Sequence, residues 1–127
     1  ARVLSGEIPI LFDYDFNTLR ARYKDKANVV FVIPQEGTIV VPYVMSLVKN
    51  GPHPEKAKKV LDYLVSDKGQ SIWANAFLRP IRPQAMTQEI ARKFNPAEEY
   101  KRARSIDYDK MEQVQDRFRD RYLKEVR

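Results

Sequence analysis

Apolar positions along this chain follow two regimes. Up to about residue 48 they come in short continuous runs, and beyond residue 53 they recur at three and four. Ile8 to Phe12 is the first run. It contains Pro9, which lacks a ladder donor and so predicts a strand start or an edge. The run stops at Asp13-Tyr14-Asp15. Phe16 to Tyr23 follows, and Leu19 and Tyr23, four apart, predict a short helix capped by Asp15 or Asn17. Asn28 to Ile33 is the strongest strand signal. Its unbroken Val29-Val30-Phe31-Val32-Ile33 predicts a strand buried on both faces, as in an α/β sheet. Pro34 ends it, Gln35-Glu36-Gly37 reads as a turn, and Thr38 to Val48 is a second extended stretch interrupted by Pro42.

Asn50-Gly51-Pro52 breaks the pattern, and Pro54 suits a first helical turn. Ala57, Val60, Leu61, Leu64 and Val65 then make one apolar helix face, with Lys56, Lys58, Lys59 and Asp62 outside it. Ser66 is placed to cap a second helix, whose apolar face is predicted at Ile72, Trp73, Ala76 and Phe77. Arg79 to Pro83 must be extended, because residues before proline avoid the α region. Thr87 to Phe94 predicts a short helix, and 97–104 is polar without a clear period. The last helix is capped by Ser105 or Asp107 and carries a stripe of Met111, Val114, Phe118 and Tyr122. Strands early and helices late do not make a complete doubly wound sheet, which alternates the two. The pattern therefore predicts an α/β architecture whose remaining strands lie upstream.

Composition narrows the chemistry. The chain has 127 residues and no cysteine, which removes disulfides, thiolate nucleophiles and cysteine metal sites. The single histidine, His53, sits among prolines in a loop, so neither a His-rich zinc site nor a catalytic triad is indicated. Neither metal nor cofactor is expected. The net charge of +6 is unevenly spread: ten bases against eight acids up to residue 78, then thirteen against nine. Acids are interleaved with the bases, whereas a nucleic-acid footprint is more often an acid-free basic stripe. No apolar run approaches the length of a membrane span, and the first residues do not read as a secretory signal.

Two polar constellations are candidates for ligand contact. Asp13, Tyr14, Asp15 and Asn17 follow directly on an apolar strand, and in open α/β sheets ligands bind beyond the carboxyl ends of strands. Carboxylates, a phenol and an amide suit a cationic or polyhydroxylated solute. The plainer alternative is a helix cap with ordinary loop acids. Gln35-Glu36-Gly37-Thr38 is the second, where a glycine permits close backbone approach to a ligand, or simply makes a turn. Asp13 and Asp15 do not read as an acid–base pair, since no partner group is identifiable, and no enzymatic reaction is expected. Trp73 and Phe77 read as core, and Arg117, Arg119, Arg121 and Lys124, alternating with acids, as a solvated face.

The blocks Gly6-Glu7-Ile8-Pro9-Ile10 and Val29 to Thr38 resemble the second half of bacterial extracellular solute-binding proteins of ABC importers. Gly51 to Ala57 followed by Val60 to Gln70 is similar to another stretch of that family, and Arg79 to Pro83 and Ile106 to Lys110 fit its pattern. The resemblance implies a two-lobe periplasmic-binding-protein fold of which this chain is the C-terminal piece. Residues 1–33 would finish the second lobe, and 34–127 would form a crossover and helices returning to the first. It implies a small solute held between the lobes by Asp13, Tyr14, Asn17, Glu36 and Gly37, with a hinge around Val32 to Glu36. It also implies a periplasmic or membrane-tethered location, with an ABC permease and the N-terminal part of the same protein as partners. The adjacent tyrosine pair of iron-binding members is not visible, which disfavours ferric iron. Exposed half-sheet edges would favour self-association. The alternative is a basic α/β module that binds RNA or an acidic partner through its arginine-rich last helix.

Overall fold

A computed structural model describes residues 2–126. It is helix-rich α/β, with one two-stranded parallel sheet among the described residues. The elements are α1 (Asp15–Tyr23), β1 (Thr38–Val40), α2 (Pro54–Val65), α3 (Asp67–Asn75), α4 (Gln88–Ala91), α5 (Ala97–Tyr100), β2 (Ala103–Ser105) and α6 (Tyr108–Glu125), with a 3-10 turn at Pro83–Ala85. The chain divides into two compact units, Ala1–Val32 with Val44–Ala97, and Ile33–Tyr43 with Glu98–Arg127.

The first unit buries Leu19 of α1, Ala74 and Phe77 at the end of α3, and Ile90 of α4. Tyr23 stacks on Phe77 with ring centroids 6.0 Å apart, which joins α1 to α3. Ser66 caps α3 as the sequence predicts, its Oγ accepting from the Gly69 amide at 3.2 Å. The buried face of α3 differs from the predicted one: Gly69, Gln70 and Ala74 point inward, while Ile72 and Ala76 are exposed. Gln70 turns the helix. Its Nε2 donates to the Leu64 carbonyl and its Oε1 accepts from the Ile81 amide, both at 2.8 Å. This pair of bonds ties α2, α3 and the extended 79–82 segment together. Gly69 has no side chain because the carbonyls of Tyr63 and Leu64 occupy the space. Arg82 adds a bond to the Val65 carbonyl at 2.6 Å. The Ser66-to-Gln70 block is thus a helix–helix corner.

The second unit is built on parallel pairing of β1 with β2, with Thr38 opposite Ala103, Ile39 opposite Arg104 and Val40 opposite Ser105. No periodicity in 97–104 foretells β2, since three polar-flanked residues carry no strand signal. Asp107 caps α6, accepting from the Lys110 amide at 3.0 Å.

The predicted strands at Ile8–Phe12 and Asn28–Ile33 are not strands here. Both run without a ladder partner, and a strand exists only when a neighbour takes its backbone bonds. Nor is 28–33 buried on both faces. Exposure alternates along it, with Val30 at 70% and Val32 at 67% but Ile33 at 3%. That is the period of a half-buried strand. Thr38 to Val48 forms a strand only up to Val40, and the rest is exposed beyond Pro42, which cannot donate.

Candidate solute-binding segments

In the first unit Asp13, Tyr14 and Asn17 come together at the start of α1. Asp13 Oδ1 accepts from the Tyr14 amide at 2.7 Å and from Asn17 Nδ2 at 2.9 Å. Tyr14, neither Asp15 nor Asn17, holds the cap position; its backbone is extended and its side chain caps nothing. Asp15 lies inside the first turn, where its Oδ1 accepts from the Phe16 amide at 2.8 Å. Burial raises its carboxyl pKa above the ordinary value, partly opposed by the Phe16 amide and by Arg79. Tyr14 stacks on Phe16 at 5.4 Å, which fixes the ring while leaving it exposed. The arrangement presents one carboxylate, one phenol and one amide to solvent on a rigid helix start. Phe12 beside it is 94% exposed.

Glu36 and Gly37 belong to the second unit. Pro34 to Gly37 forms a tight turn closed by the Gly37 amide on the Pro34 carbonyl at 3.2 Å. Gly37 has φ +107°, open to glycine but rarely to other residues. A Cβ there would stand 2.9 Å from the Arg102 carbonyl, so the close approach Gly37 permits is by the chain's own backbone. The Thr38 amide donates to that same carbonyl at 3.3 Å. Arg102 Nη1 donates to the Ile33 carbonyl at 2.7 Å, and its Nη2 pairs with Glu99 at 3.4 Å. Arg104 Nε lies 3.9 Å from the Cβ position of Gly37 and adds a cation beside the turn. Sequence reasoning missed Arg102 and Arg104, since the segment carrying them shows no pattern. Glu36 itself is exposed.

Trp73 is half-buried and Phe77 buried, in keeping with a core role. Among the described residues no group of three or more histidines and carboxylates is placed to hold a metal ion. No helix among them is long and apolar enough to cross a membrane.

A family model described as bacterial extracellular solute-binding protein matches residues 1–114. The match covers most of the chain, which therefore belongs to that family. Neither the curated proteins nor the solved structures contain a match.

Proposed function

We propose that this chain supplies part of a cleft that binds a small extracytoplasmic solute and hands it to an ABC import permease, without chemical change to the solute. The family match over residues 1–114 carries the reading. The exposed cluster of Asp13, Tyr14 and Asn17, and the Glu36-Gly37 turn beside Arg104, are the proposed contacts. In this reading solute shifts the population toward a closed state. A further segment of the same protein pairs with residues 28–33. Support for this lies in the amides of Val30 to Ile33, which donate to no protein group among the described residues, and in the exposed Val30 and Val32.

A thermal-shift screen of the chain and of a longer protein containing it tests the reading. The ligands are polyamines, organic phosphonates, sugars, thiamine and ferric citrate, with single-stranded RNA as a control. A ligand at a hundred times its dissociation constant stabilises by about 2.7 kcal/mol. A shift from one small solute that disappears in Tyr14→Ala and Asp13→Ala supports the proposal. A shift from RNA alone, abolished by salt, would sink it.

A further inference from the structure

The chain holds five asparagines, and the residue after each decides what its side-chain amide can undergo. The carbonyl carbon of an asparagine side chain is open to attack by the next backbone nitrogen, provided that nitrogen carries a proton and can swing onto it. Asn95 precedes Pro96, which has no N–H. Asn28 precedes Val29, whose branched Cβ crowds the approach. Asn17 and Asn75 lie in α1 and α3, where the dihedrals are fixed. Their Nδ2 groups donate to Asp13 Oδ1 at 2.9 Å and to the Ser71 carbonyl at 2.8 Å. Asn50 alone precedes a glycine. It is exposed, lies outside every helix and strand, and its side chain has no hydrogen-bond partner among the described residues.

We propose that Asn50 is a site of spontaneous deamidation, a covalent modification set by the Asn50-Gly51 turn itself. The Gly51 nitrogen gives up its proton and bonds to Cγ of Asn50, the Cγ–Nδ2 bond breaks, and ammonia leaves with that proton. The cyclic succinimide then takes up a water, which opens it at either carbonyl to aspartate or isoaspartate. Glycine favours ring closure because it has no Cβ to block it. The Gly51 amide rests on the Val48 carbonyl at 3.1 Å, a single bond in an exposed turn, which opens locally without loss of the fold. Asn50 is the third residue of that turn, with φ +59°, a region that asparagine and aspartate tolerate better than most side chains. The aspartate product therefore keeps the turn and adds a negative charge to 49–54, a stretch with no acid of its own. The isoaspartate product runs the main chain through the side-chain carbon, which draws the Gly51 amide off the Val48 carbonyl just before α2.

The test is incubation of the folded chain in warm, mildly alkaline buffer, followed by peptide mapping by mass spectrometry. The peptide containing Asn50 should gain the mass of NH2 exchanged for OH at least about tenfold faster than any peptide containing another asparagine. Fragmentation should find both aspartate and isoaspartate at position 50. Gly51→Ala should slow the conversion at least about tenfold, since a Cβ hinders ring closure. Circular dichroism checks that this variant stays folded, and Asn50→Gln, whose longer side chain would need a larger ring, gives the same reading without touching the glycine. Equal rates at all the asparagines, a rate unchanged in Gly51→Ala and Asn50→Gln, or conversion at Asn50 only after the chain is unfolded in urea overturns the proposal. Aspartate without any isoaspartate also overturns it, because water would then attack the side-chain amide directly and the Gly51 nitrogen would have no part.

Discussion

The guanidinium of Arg102 donates to the backbone carbonyl of Ile33 across 2.7 Å, although the two residues are 69 positions apart. The bond holds the start of the Pro34–Gly37 turn against the strand that follows α5. A charged donor on a partly buried carbonyl is worth more than a neutral one. Arg102→Met should cost about 1.5–3 kcal/mol in urea denaturation. Lysine should recover only part of this, since its single ammonium cannot serve both Ile33 and Glu99 in the geometry of the planar fork. Full recovery by Arg102→Lys would show that charge alone, without the fork, holds the turn.

Gly37 is the position in the same turn least tolerant of a side chain. Gly37→Ala meets both a positive φ and the Arg102 carbonyl 2.9 Å from the new Cβ. The expected loss is about 1–3 kcal/mol. Gly6→Ala is the control, since Gly6 also has positive φ but no atom within 4 Å of a Cβ. Thermal melts of the two variants should rank Gly37→Ala clearly below Gly6→Ala.

Gln70 is the buried polar residue of the α2–α3 corner. Gln70→Leu leaves the Ile81 amide and the Leu64 carbonyl without their side-chain partner. The cost should be about 1–3 kcal/mol for the stranded groups. Hydrogen exchange at the Ile81 amide should quicken more than at amides within α3. Unchanged protection at Ile81 would mean that water replaces the glutamine at no cost.

Asp15 makes stability depend on pH in the direction opposite to most carboxylates. Burial raises its folded pKa above the ordinary value of 3.8, so the folded chain binds the proton more tightly than the unfolded one. Its contribution is therefore most favourable below the unfolded pKa and is lost as pH rises through the folded value. Asp15→Asn should be at least as stable as the parent at neutral pH, and the advantage should vanish toward acid. Denaturant midpoints for both proteins across that range give the comparison. A variant less stable at neutral pH than at acid, relative to the parent, would show that Arg79 and the helix start outweigh desolvation.

Much of the helical content was legible from residue spacing. The caps at Ser66 and Asp107 each accept from an amide three residues on, because side-chain oxygen chemistry at a helix start is local. The helix at 15–23, the apolar periodicity of 54–65 and the break at Asn50-Gly51-Pro52 were equally local matters. The family was legible too, in blocks such as Ser66 to Gln70 whose identity is set by a backbone corner and by a glutamine that must reach two distant groups.

Of the candidate site, the association of Asp13 with Tyr14 and Asn17 follows from their closeness in sequence, and the positive φ of Gly37 from its being glycine in a turn. What only the tertiary structure decided is whatever depends on a distant partner. Residues 28–33 carry the strongest strand preference in the chain, yet they form none, whereas the weak segments Thr38–Val40 and Ala103–Ser105 pair. Propensity describes a residue's fit to an extended surface, but a strand is made by a second strand's donors and acceptors, and those are set by how the chain returns. The same reason placed Arg102 and Arg104 beside the Gly37 turn and kept them out of reach of any reading by period or spacing.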